Sequence, residues 1–180
     1  MDPLNFKSRD FVHLHLHSDY SLLRSTIKLK PLAEKLTVLE MKACAITDYG
    51  NMYGAVSFYN AMKAAGVRPI IGCDAFVSSG SRFERDLSVK AGEKSFYNLV
   101  LLATGFEGYQ NLIDLASKAF TEGFHYKPRI DLDLLAEKSK GLIALSGGPT
   151  GSVGHFLQND NQEQALESAG RLQEIFGAGN

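Results

Sequence analysis

The chain has 180 residues, 44% of them hydrophobic and 22% charged, which suits one globular domain with a real core and not a disordered chain. A net charge of −1 argues against strong intrinsic binding to nucleic acid, because a phosphate-gripping module carries a basic excess. Two cysteines with no CxxC pair exclude a finger-type zinc site and a disulfide framework, and no apolar run is long enough for a membrane span or a secretory leader. A cytoplasmic, reducing location is the expectation.

In chain order, the first strand is expected over residues 11–15, in the alternating stretch Phe11-Val12-His13-Leu14-His15-Leu16-His17. Strand periodicity sends His13, His15 and His17 to one face, and Val12, Leu14 and Leu16 to the other, under helices. A helix is predicted over 30–40, with Pro31 at its start. Short apolar strands follow over 43–47 and within 67–77, separated by a helix over 53–65 that Gly66 stops. Residues 78–95 read as a long loop, with Arg82-Phe83-Glu84-Arg85-Asp86 solvated. A strand over 96–103, a helix over 108–120, and a short helix through Lys138 capped by Asp131 come next. A fifth strand over 141–146, a glycine-rich turn over 147–151, and helices over 151–158 and 162–176 complete the pattern.

Alternation of strand and helix implies an α/β fold with parallel strands and crossover helices. Functional groups then gather at the carboxyl ends of the strands. Those ends bring His15 and His17, Asp48 in Thr47-Asp48-Tyr49-Gly50, and Asp74. Two imidazoles and two carboxylates form a plausible cation site, since neutral imidazole is the commonest metal ligand and carboxylates supply hard oxygen donors. Asn98 near the start of the fourth strand and Ser146 at the end of the fifth are also expected there. The simpler alternative is a half-exposed strand whose histidines make ordinary hydrogen bonds.

The stretches VHLHLHSDYSLL, AITDYGNMYGAVSFYNAMKAAGVRPIIGCDAF and LSGGPTGSVG resemble the polymerase-and-histidinol-phosphatase (PHP) domain. They are most similar to the form found at the N-terminus of bacterial replicative DNA polymerase III alpha subunits. The resemblance implies a distorted PHP-type β/α barrel with parallel strands. Residues 1–10 are then an N-terminal extension. Residues 11–180 are a partial domain of about five β/α units, truncated at the C-terminus and marginally stable alone. Active members carry a multinuclear metal centre that hydrolyses phosphoesters, and some proofread as 3′–5′ exonucleases.

Carried over by position, the resemblance implies that His15 and His17 match the first ligand pair and that Asp74 stands where the family has a glutamate. Arg24 stands at an aspartate position, Tyr49 and Asn98 at histidine positions, and Gly148 at a cysteine position. Arginine has no lone pair to donate, and glycine offers only backbone. The reading is therefore a metal-depleted structural and interaction module, with His15, His17 and Asp74 as a vestigial set. No cofactor is expected in this segment beyond weak zinc or manganese binding, with magnesium serving the parent polymerase. Arg24 is expected to replace the metal by pairing with Asp48 or Asp74. The implied partners are the rest of the polymerase alpha chain, a proofreading exonuclease subunit, and DNA through downstream domains, with no membrane. The alternative is a working metal-dependent phosphoesterase or exonuclease.

Overall fold

The computed structural model describes residues 11–85 and 94–177. The extension over 1–10, Asp86 and Gly92 of the long connection, and residues 178–180 lie outside the described residues. The strands are β1 (Ala43–Ile46), β2 (Arg68–Ser78), β3 (Phe96–Ala103), β4 (Arg129–Ile130) and β5 (Leu142–Leu145). The helices are α1 (Leu29–Val38), α2 (Ala55–Ala64), α3 (Phe106–Thr121), α4 (Leu132–Lys138), α5 (Ser152–Gln158) and α6 (Gln162–Phe176). One sheet runs β1-β2-β3-β5, and β4 pairs with the far end of β2.

The class is α/β with parallel strands, and β3 is the exception. It runs antiparallel to both β2 and β5, while β1 and β4 run parallel to β2. Ser78 pairs with Phe96, and Ser79 N–H donates to the Ser95 carbonyl (3.2 Å). The chain thus returns directly beside β2, as antiparallel strands permit, without the crossover that a parallel partner requires. This reversal puts the start of β3 beside the carboxyl end of β2.

The expected first strand reduces to one parallel bridge, His13 to Cys44. Ala45 N–H donates to the His13 carbonyl (2.7 Å), but Leu16 N–H then takes the Thr47 hydroxyl (2.8 Å) instead of a backbone acceptor. The chain bends at Leu14 and His15, so strict alternation fails and Leu14 stays exposed, while Leu16 packs on the core. The two-residue strand β4 escapes sequence reading because it is too short to show a period.

Strand alternation divides the sheet into two faces. Cys73, Ala75 and Val77 of β2 and Leu99 and Leu101 of β3 pack with Leu112, Leu115, Leu134 and Leu135 from α3 and α4. Leu36, Phe58 and Met62 of α1 and α2 close over Cys44 and Ile46 of β1. The opposite face has a small apolar floor of Ala45, Val100 and Leu102. Asp74 belongs to that second face, because it pairs with Val100.

Helix ends follow their local chemistry. Asp131 caps α4 by accepting from Leu134 N–H (3.1 Å), and Gly66, at φ +71°, ends α2. In the segment expected to be solvated, Phe83, Glu84 and Arg85 are exposed, but Arg82 is tied down. Arg82 reaches Glu122 (2.7 Å) and Asp131 (2.9 Å) with a side chain only 14% exposed. Arg85 donates to the Glu122 carbonyl (2.7 Å). Arg129, fully buried, donates to the carbonyls of Glu84 (2.7 Å) and Gly123 (3.2 Å). Mixed charge in the sequence had no visible partners because these acids lie some 40 residues further along the chain.

Asp131 therefore serves both as helix cap and as an ion-pair partner. Asp131→Ala is expected to destabilise the chain by about 3 kcal/mol in urea unfolding, since it strands Arg82 and uncaps α4. Asp131→Asn, which keeps the cap, should lose clearly less.

Candidate metal centre

The site begins with the loop that leaves the His13 bridge. Asp48, two residues past β1 and 1% exposed, accepts from Ser18 N–H (2.7 Å), the Ser18 hydroxyl (2.8 Å) and the Ser21 hydroxyl (2.6 Å). The Ser21 oxygen in turn accepts from Tyr49 N–H (3.0 Å), and the Ser18 oxygen accepts from Tyr20 N–H (3.2 Å). The Ser25 hydroxyl donates to the His17 carbonyl (2.6 Å). A buried carboxylate needs several donors to repay its lost hydration. Here those donors come from the loop, so satisfying Asp48 fixes the path of the histidine segment.

Asp74 is the other buried acid. Its backbone N–H donates to the Asp48 carbonyl (3.0 Å), and Tyr49 bridges to it in parallel, so β1 and β2 stay in register up to the site. One carboxylate oxygen, Oδ2, lies 3.0 Å from His15 Nε2 and 3.1 Å from His17 Nε2, and the two imidazole nitrogens are 3.2 Å apart. Oδ1 accepts from the Asn98 amide (2.8 Å). Burial pushes the Asp74 carboxyl up, but the hydrogen bonds from His15, His17 and Asn98 outweigh it and hold the pKa at about 2. The imidazole of His15 is half exposed, so the cluster opens to solvent on one side.

Three donor atoms thus converge from His15, His17 and Asp74. Ligands at 2.0–2.1 Å on a tetrahedral ion stand about 3.3 Å apart. The spacing fits three ligands of a single ion with a fourth position open. It does not fit two or three ions, which need more donors than these residues hold.

The expected constellation is met only in part. Asp48 does not join the donor set, because both its oxygens are taken by the serine loop. Arg24 pairs with neither acid among the described residues: it is exposed, with its guanidinium 5.2 Å from the Tyr49 ring centroid. The acids leave it no role, since each already has its donors. Tyr49 packs edge-on to His17 (4.9 Å) and to Phe76 (5.0 Å) and walls the site. Gly148 is in an exposed 3-10 turn, and Ser146 is exposed. His13 packs against Phe11 instead of joining its neighbours. The hydrogen bond from Asn98 to Asp74 was not legible, because it depends on the reversal of β3. The serine clamp had a signal in the pairing of Ser18-Asp19-Tyr20-Ser21 with Thr47-Asp48, but hydroxyl roles have no periodicity to give them away.

The depressed Asp74 pKa has a sign that can be checked. Its folded value lies below the unfolded one, so its contribution is complete above pH 4 and is lost as pH falls toward 2. The wild-type chain is expected to lose about 2 kcal/mol through this group over that window in urea unfolding, and Asp74→Asn should lack that part of the acid limb.

Comparison with known proteins identifies the family of the chain. The PHP domain profile matches residues 13–180. DNA polymerase III subunit alpha of Thermus aquaticus is 45% identical over 169 residues, covering 93% of this chain and 14% of the relative. The same subunit of Deinococcus radiodurans is 45% identical over 174 residues, covering 94% and 13%. That of Aquifex aeolicus is 40% identical over 173 residues, covering 94% and 15%. The chain therefore spans about one seventh of the length of the relatives it matches. It belongs to the PHP domain family.

Proposed function

We propose that these residues form the N-terminal PHP domain of a bacterial replicative DNA polymerase III alpha subunit and act there as a metal-depleted structural and interaction module. The observation that carries this is the small size of the donor set. Among the described residues only His15, His17 and Asp74 converge, while Asn98 meets Asp74 as a hydrogen-bond donor and Asp48 is consumed by the serine clamp. A multinuclear phosphoesterase needs carboxylates and imidazoles bridging several ions. Arg24, exposed on Tyr49, adds positive charge beside the site and no donor atom.

In this reading DNA synthesis, with its magnesium, belongs to other parts of a longer chain. The partners are the remainder of that alpha chain and a proofreading exonuclease subunit, with DNA reached through downstream domains. No helix among the described residues is long and apolar enough to cross a membrane, and the proposed location is the cytoplasm.

One observation favours a second reading. The spacing of 3.0–3.2 Å among the three donors suits one zinc or manganese ion, which His15, His17 and Asp74 would hold. When bound, such an ion would supply Lewis-acid chemistry toward a phosphoester. Asn98 would keep Oδ2 of Asp74 turned to the imidazoles, and the half-exposed His15 side would admit substrate.

Metal analysis of the full-length chain after zinc or manganese loading and gel filtration separates the two. The module reading expects well under one such ion per chain and background hydrolysis of bis-p-nitrophenyl phosphate, unchanged in His15→Ala. A stoichiometric ion together with hydrolysis abolished in His15→Ala would establish the phosphoesterase instead.

A further inference from the structure

The turn that leads into β4 holds an exposed ring at the edge of the site. Arg129 pairs with Phe76, on the edge of β2 that β1 leaves at the Tyr49–Asp74 bridge, so Lys127 and Pro128 enter beside Gly50. Gly50 makes room for them: a Cβ there would come within 2.6 Å of the Phe76 ring and 3.0 Å of Pro128. His125 N–H donates to the Lys127 carbonyl (3.0 Å) and closes a three-residue turn with Tyr126 at its tip. Tyr126 has φ +58°, which a residue with a Cβ disfavours, and is 79% exposed. Its ring meets His125 edge-on (4.6 Å), and most of the phenol faces water. A strained tip that buries so little of its own surface points to a role outside the domain's packing.

The wall between this turn and the histidines is aromatic. His17 meets Tyr49 edge-on (4.9 Å), and Tyr49 meets Phe76 (5.0 Å). Two fixed cations rest on that wall. Arg24, released from the acids, lies 5.2 Å from the Tyr49 centroid, and Lys127 Nζ lies 5.5 Å from the Phe76 centroid. Neither forms an ion pair among the described residues. A ring face holds a cation in place without neutralising it, so both charges remain available to an anion. An open ring beside positioned cations suits single-stranded nucleic acid, whose phosphates meet the cations while an unpaired base stacks on the ring. A duplex keeps its base faces inside its own stack.

We propose that Tyr126, Lys127 and Arg24 form a binding site for single-stranded nucleic acid, with one base on Tyr126 and two backbone phosphates at Lys127 and Arg24. The contact needs no metal ion and breaks no bond, so it goes beyond both readings of the histidine cluster. Two phosphate contacts give modest affinity, in keeping with a chain of net charge −1.

The probe is a tetrathymidylate with 5-iodouracil at one internal position, added to the full-length chain in EDTA. Irradiation joins the iodouracil to a ring stacked on it, and mass spectrometry locates the link. Tyr126 is expected to carry it, with Tyr59, 47% exposed on α2, as the control. Tyr126→Ala should remove the link. Raising salt from about 50 to about 200 mM should lower the yield about sevenfold for two phosphates, and about threefold in Lys127→Gln or Arg24→Ala, each of which keeps one. A yield at Tyr126 no higher than at Tyr59, a salt response unchanged in either variant, or equal linking by a hairpin duplex with the iodouracil in its stem would each overturn the proposal. So would a link that appears only after zinc or manganese is added, which would assign the strand to an ion held by His15, His17 and Asp74.

Discussion

One buried carboxylate organises the working end of this domain. Among the described residues Asp48 has no ion-pair partner; its charge is balanced by a backbone amide and two hydroxyls, all from a loop 27 to 30 residues earlier. Hydrogen bonds to a charged group contribute about 1.5–3 kcal/mol each. The loop has little regular structure of its own, so these bonds decide where it lies. They place His15 and His17 over β2. The histidine cluster and the ring of Tyr49 against His17 are consequences of satisfying a single acid.

The two acids of this end have divided their work. Asp48 is structural and closed to solvent. Asp74 is just as buried but faces the histidines, with one oxygen occupied by the Asn98 amide and the other shared by two imidazoles. An amide in that place fixes the carboxylate without adding a lone pair to a cation site of any useful strength. The outcome is a set of groups already satisfied by one another, with room for at most one ion.

Much of the fold was legible because its elements are periodic. β3 and α6 lie where alternation and helical spacing put them, and the Asp131 cap is a local signal that reads directly from the residue. His15, His17 and Asp74 were expected together at strand ends; the structure brings them together, but with Asp74 inside β2 and both histidines outside any strand. What stayed hidden was long-range or irregular. Strand direction cannot be read from apolar content, so β3 was expected to be parallel. His13, Leu14 and His15 alternate in sequence, but a segment with one bridge bends away from the sheet. Arg82 looked solvated because its partners, Glu122 and Asp131, belong to a distant helix end and strand end. Arg24 was assigned to the acids because it stands at a ligand position of the resembled family near two carboxylates, and the hydrogen bonds already made by those acids left it on the face of Tyr49.

The position of β2 has a kinetic meaning. It is the one strand that pairs with three others, taking β1 along its first half and β3 and β4 along its second. The β3 contact closes the shorter loop in sequence, and short closures cost the least chain entropy. The β2–β3 ribbon is therefore the natural nucleus, on which the parallel partners condense later. Changes that weaken this ribbon should slow folding, whereas changes in the irregular histidine loop, outside that nucleus, should mainly hasten unfolding.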